Sequence, residues 1–137
     1  MDRKIIADTS GIIAFLDRDD QYHSPAVNIV RNYQIYIPVT ILPEVDYLVT
    51  KYLGERVARS FLEDLVEGSF FYLDISLDNI NKATKLMERY KDWPLGFVDA
   101  SLVILAEYHQ IKRIFTLDRR HFNLLQSDRK NYLEILP

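Results

Sequence analysis

Gly96-Phe97-Val98-Asp99-Ala100-Ser101-Leu102-Val103-Ile104-Leu105-Ala106-Glu107-Tyr108-His109-Gln110-Ile111-Lys112-Arg113-Ile114-Phe115-Thr116-Leu117-Asp118-Arg119-Arg120-His121-Phe122 is the stretch that decides the fold. From Phe97 to Ala106 it is apolar on nearly every side, the pattern of a helix buried at the centre of a domain. Asp99 is the one charge in that run, and an ionised carboxylate there is costly unless something offsets it. Glu107 to Lys112 read as a polar turn, and Arg113-Ile114-Phe115-Thr116 as a short strand that runs out at Leu117-Asp118. A buried helix, a strand and an acid at the strand tip predict an α/β fold with its site at the carboxyl edge of a sheet.

Working outward, Lys4-Ile5-Ile6-Ala7 reads as the first strand, ending at Asp8. Thr9-Ser10-Gly11 is expected to form a turn, with either hydroxyl capping a helix from Ile12 to Leu16. Asp17, Asp19 and Asp20 fall in a charged loop and read as solvated. Ser24-Pro25 opens a second helix, which runs to about Tyr33, and Ile35-Tyr36-Ile37 is a second strand. Thr40 is expected to cap the next helix, in which Ile41, Val45, Leu48, Val49 and Tyr52 share an apolar face at 100° per residue. On that projection Glu44 points towards the interior and Asp46 away from it. Gly54 ends the helix, and another follows from about Glu55 to Val66. Phe70 to Leu73 reads as a third strand, Leu77 to Tyr90 as a further helix, Arg119 to Leu124 as a helical turn, and Leu133-Glu134-Ile135 as an edge strand. Strands alternating with helices predict one domain, residues 1–137, built on a central parallel sheet flanked by helices.

Composition narrows the class. The chain has 137 residues, enough for one sizeable core, and 48% hydrophobic with 27% charged residues suits a globular domain. With no cysteine, disulfides and thiolate metal sites are excluded, and a reducing, cytoplasmic setting is expected. Only three apolar residues follow Met1-Asp2-Arg3-Lys4 before Asp8, too few for a signal peptide, and no apolar run nears the roughly 18 residues of a membrane span. A net charge of −3 does not mark a nucleic-acid binder, although six basic residues against two acids lie between Lys112 and Lys130. That cluster reads equally well as a phosphate-binding patch or a solvated surface.

Asp8 and Asp118 are placed at strand tips, and Glu44 and Asp99 in the first turns of helices, where the macrodipole favours a negative charge. Two carboxylates about 5 Å apart repel by roughly 3 kcal/mol at an effective dielectric near 20. Four together must take up protons or hold a cation, and a set of oxygen ligands selects a hard one, Mg²⁺ or Mn²⁺. His23, His109 and His121 are scattered without ligand spacing and read as surface or loop histidines.

These acids sit in a series of motifs: Ile6-Ala7-Asp8-Thr9-Ser10, Asp20-Gln21-Tyr22-His23, Pro43-Glu44-Val45, Val98-Asp99-Ala100-Ser101 and Phe115-Thr116-Leu117-Asp118-Arg119-Arg120-His121-Phe122. In that order, and over essentially the whole chain, the sequence resembles the PIN-domain ribonucleases and, in size, the toxin subunits of VapBC-type toxin–antitoxin systems. The resemblance implies a Mg²⁺ or Mn²⁺ site formed by Asp8, Glu44, Asp99 and Asp118, with Asp8, Asp99 and Asp118 as metal ligands. It implies supporting hydroxyls at Thr9, Ser10 and Thr116, and hydrolysis of an RNA phosphodiester that leaves a 5′-phosphate. It further implies an antitoxin protein partner and a homodimer. Arg119 and Arg120, just past the last acid, are placed to grip RNA phosphates or to act as surface charges. A phosphorelay receiver would need adjacent acids after its first strand and a late lysine, and a haloacid-dehalogenase-type phosphatase would need D-x-D-x-T; neither pattern is present. A non-catalytic PIN-like module that binds RNA or protein stays open as the alternative.

Overall fold

A computed structural model of the chain describes residues 2–93, 95–125 and 133–137. Arg129 and Lys130, two of the six basic residues counted between Lys112 and Lys130, lie outside the described residues, as does Asp128.

Five short strands form one parallel sheet: β1 (Lys4–Ala7), β2 (Gln34–Pro38), β3 (Phe71–Leu73), β4 (Arg113–Phe115) and β5 (Glu134–Leu136). Their order is β3-β2-β1-β4-β5. The chain works outward from β1 to β3, then returns to the other side of β1 with β4, so the strand order reverses between β1 and β4. That reversal opens a crevice at the carboxyl ends of these two strands. Ile5, Ile6 and Ala7 of β1 are fully buried, as a central strand covered on both faces requires. The register pairs Ile6 with Ile114 and Ala7 with Phe115, and the Asp8 N–H continues the ladder to the Phe115 carbonyl at 2.9 Å.

The helices are α1 (Thr9–Leu16), α2 (His23–Asn32), α3 (Leu42–Leu53), α4 (Glu55–Val66), α5 (Leu77–Arg89), α6 (Phe97–Tyr108) and α7 (Arg119–Leu125). With the strand order known, the right-handed rule for parallel crossovers assigns α1 to α4 to one face and α5 to α7 to the other, in keeping with the packing of α1 on α2 and α3 and of α5 on α6. The single parallel sheet and its flanking helices match the expected α/β architecture. The α6 segment from Ala100 to Ala106 is entirely buried, so its apolar circumference is explained by central placement. No helix among the described residues is long and apolar enough to cross a membrane.

Three local expectations are corrected. Helix α1 begins at Thr9, not Ile12; its cap is the Asp8 carboxylate, which accepts from the Thr9 N–H at 2.8 Å, and neither hydroxyl caps. Thr40 caps nothing. It lies in a 3-10 turn (Val39–Ile41) ahead of α3, and its hydroxyl meets that of Ser101 at 2.7 Å. Because the Ser101 hydroxyl donates to the Val98 carbonyl at 2.6 Å, Thr40 must be the donor to Ser101. Tyr52, finally, is off the buried face of α3 at 69% exposed, and Leu53 packs on the core instead.

Gly11 lets α1 settle onto β4. A Cβ there would lie 2.6 Å from the Phe115 carbonyl oxygen and 2.8 Å from its ring. Helix propensity alone favours alanine over glycine by about 1 kcal/mol. The clash reverses the sign, so Gly11→Ala should destabilise the protein by about 1–3 kcal/mol, read as a lower urea midpoint. An unchanged or raised midpoint would contradict this packing.

Candidate active site

Asp8, Glu44, Asp99 and Asp118 line a single cleft of about 440 Å³ at the crevice between β1 and β4, together with Thr9, Ser10, Asp20 and Leu48. Each arrives from a different element. Asp8 follows β1 and caps α1, Glu44 is in the first turn of α3, Asp99 in the first turn of α6, and Asp118 joins β4 to α7. The Thr40–Ser101–Val98 hydrogen bonds tie the start of α3 to the start of α6, which fixes the separation of Glu44 from Asp99.

The four acids descend from an open rim to a closed floor. Glu44 and Asp118 are exposed, Asp99 is partly buried, and Asp8 is buried. A short proton chain serves Asp8. The Thr116 hydroxyl donates to Asp8 Oδ2 at 2.8 Å and accepts from the Asp118 N–H at 3.1 Å. With its one proton so committed, Thr116 must accept from Ser10, whose hydroxyl lies 3.1 Å away and itself accepts from the Leu117 N–H at 2.9 Å. Every donor in the chain points towards the carboxylate. The Thr9 hydroxyl, in contrast, is buried with no hydrogen-bond partner among the described residues.

Burial nevertheless pushes the Asp8 carboxyl up to about 6 from an ordinary 3.8. The Thr116 hydroxyl and Thr9 N–H hold it back, while the charges of Asp99 and Glu44 push it further up. Asp99 is also raised, first by burial and then by Asp118 and Glu44, against the opposing effect of His121. The acids therefore feel one another. Among the described residues no three His, Cys, Asp or Glu side chains close around a point as a ready ion cage. An open, all-oxygen, mutually repelling set suits a hard cation that keeps several of its waters.

A PIN domain model matches residues 5–126, nearly the whole of this architecture and every acid of the cleft. The chain belongs to the PIN-domain family. It is 27% identical over 135 residues to Ribonuclease VapC26 of Mycobacterium tuberculosis, covering 97% of this chain and all of that protein. Its fold is similar to that of the Mycobacterium tuberculosis Sarcin-Ricin loop cleaving toxin VapC20, with TM-score 0.81, 18% identity, and 97% and 99% of the two chains covered. A toxin–antitoxin complex from Klebsiella pneumoniae gives TM-score 0.66 at 20% identity, covering 97% and 96%. PIN-domain nucleases in general use a divalent metal ion, and the donor chemistry of this cleft is compatible with one.

The PIN cleft also holds residues that the sequence pattern passed over. Asp20, read as solvated, lines it. His121, read as a surface or loop residue, lies against Asp99: its Nε2 is 2.9 Å from Asp99 Oδ2, a close contact without the alignment of a hydrogen bond. Its ring packs on Trp93, centroids 4.9 Å apart. His23 is structural, its Nδ1 3.0 Å from the Ala14 carbonyl. Arg119 reaches away from the acids to donate to the Ile135 and Pro137 carbonyls at 2.9 and 2.6 Å, and with Arg120, Asn123 and Leu124 it lines a separate depression.

The raised Asp8 carboxyl sets a sign for stability. Its folded value near 6 exceeds the ordinary 3.8, so its burial is tolerated in full below pH 3.8 and stability is lost as pH rises through 6. In metal-free protein, Asp8→Asn should be more stable than wild type at pH 7.5, by up to about 3 kcal/mol, with the gap closing near pH 4. Urea unfolding in EDTA at both pH values measures it, and an Asn variant less stable at pH 7.5 would contradict the assignment.

Proposed function

We propose that this chain, working as one domain over residues 1–137, is a metal-dependent endoribonuclease that hydrolyses RNA phosphodiester bonds and acts as the toxin of a type II toxin–antitoxin pair. The observation that carries the reading is the convergence of Asp8, Glu44, Asp99 and Asp118 on one cleft at the switch point of a PIN fold. The toxin role is supported by the similarity to Ribonuclease VapC26 and, at the level of the fold, to toxin–antitoxin structures.

In this reading Asp8 and Asp99, the deepest acids, would hold Mg²⁺ or Mn²⁺ most directly, Asp118 would contribute a further ligand, and Glu44 at the rim would orient water or complete the shell. Such a cation would supply Lewis acidity, lowering the pKa of a water and offsetting charge on the phosphate. The Thr9 N–H on Asp8 Oδ1 and the Thr116 hydroxyl on Oδ2, itself backed by Ser10, keep Asp8 in one rotamer, and each oxygen keeps a second lone pair for a cation. Charge crowding is relieved when positive charge enters. No side chain forms a covalent bond to the RNA, and the products carry a 5′-phosphate. Of the two arginines, Arg119 is hydrogen-bonded to the Ile135 and Pro137 carbonyls, and Arg120 is the better placed to approach a phosphate among the described residues. An antitoxin covering the cleft and a homodimer complete the assembly.

Asp8→Asn and Asp99→Asn should each reduce Mg²⁺- or Mn²⁺-dependent RNA cleavage by about 100-fold or more, because an amide is a poorer ligand for a hard cation. Expression of the wild-type chain should slow growth of a bacterial host and Asp8→Asn should not. A wild-type chain that is harmless and cleaves no RNA across a Mn²⁺ and Mg²⁺ series would overturn the reading in favour of a binding module.

A further inference from the structure

The carboxylates that suit the cleft to a cation make it repel a polyanion. A strand of RNA must therefore be gripped by cationic or aromatic groups outside the acids. No lysine or arginine is among the described residues lining the cleft, and Arg119, next to Asp118, is turned to β5.

Helix α3 supplies what the cleft lacks. It enters the cleft with Glu44 and Leu48. At 100° per residue Lys51 falls within the same 60° sector, about 10 Å along the axis from Glu44, with Tyr47 and Tyr52 on either side. Tyr47 is 63% exposed and Tyr52 69% exposed, while packing on the core is done by Val45 and Val49. The Lys51 Nζ sits 5.9 Å from the Tyr47 ring centroid and 5.3 Å from that of Tyr52. Among the described residues it has no carboxylate within ion-pair distance. Two solvent-facing rings around an unneutralised ammonium, continuous with an acidic cleft, combine a stacking surface with a phosphate contact.

We propose that Tyr47, Lys51 and Tyr52 form a holding site for single-stranded RNA, in which a base beside the cleft stacks on the tyrosine rings and the Lys51 ammonium contacts a backbone phosphate. The site rests on the ribonuclease reading for its substrate, and its chemistry is sequence-tolerant because every base presents a π face. It favours a single strand over a duplex, whose bases are already stacked.

Fluorescence anisotropy with a labelled 12-nucleotide single-stranded RNA in EDTA tests it. The double variant Tyr47→Ala, Tyr52→Ala should weaken binding by about tenfold or more, and Tyr47→Phe, Tyr52→Phe should retain it. Lys51→Gln should reduce the slope of log affinity against log salt by about 0.7, one phosphate contact. Mn²⁺ binding by the alanine variant should match wild type, which separates the holding site from the acidic cleft. Affinity within twofold of wild type in the alanine variant overturns the proposal, as does a wild type that does not bind the strand. So does an alanine variant that binds RNA normally but sediments as a smaller species, which would make this face a contact between copies of the chain. Failure of the ribonuclease reading looks different: the strand is bound, tyrosine-dependently, and never cut.

Discussion

A carboxylate buried between two strand ends is the constraint on which this structure turns. Asp8 continues the β1–β4 ladder with its N–H, caps α1 with one carboxylate oxygen and receives the Thr116 hydroxyl on the other. Those bonds recover only part of the cost of taking a charge out of water, as its elevated pKa records. A fold selected for stability alone would replace the acid. A fold that carries it, and brings three further acids to the same crevice, has a donor set suited to a hard cation.

The surrounding elements serve that arrangement. Gly11 removes the side chain that would hold α1 away from Phe115, so the helix capped by Asp8 lies directly on β4. The hydroxyl link from Thr40 through Ser101 joins the helices that carry Glu44 and Asp99. Substrate attraction is displaced from the acids to the next turns of α3. A cleft that both held a cation and carried lysines would pair its own charges internally, so separating the two functions along one helix avoids that loss.

Much of this was legible in the sequence because the relevant patterns are local. Short Ile- and Phe-rich runs ending in Asp gave β1 and β4 with their acids, and the apolar circumference of Phe97 to Ala106 gave the central helix. What escaped notice depends on contacts between distant residues. Thr9-Ser10-Gly11 are poor helix formers, yet Asp8 capping and sheet packing draw them into α1. Ile41 belongs to a 3-10 turn, so a helical projection that includes it is out of phase with α3 and turns Tyr52 inward. His121 meets Asp99 only because α7 folds back beside the start of α6, and no spacing along the chain announces it. Arg119 reads from sequence equally as a phosphate contact or a surface charge, because its carbonyl partners, Ile135 in β5 and Pro137 just after it, are brought near only by the sheet order.

Calorimetric titration of the wild-type chain with Mn²⁺ in buffers of different ionisation enthalpy tests most directly whether the buried Asp8 carboxyl and the acids around it are held for a cation. Because the Asp8 carboxyl is raised to about 6, binding at pH 6 should release about half a proton or more per ion, and release should fall towards zero at pH 8. Absence of Mn²⁺ binding, or binding at pH 6 without proton release and unchanged in Asp8→Asn, would contradict it.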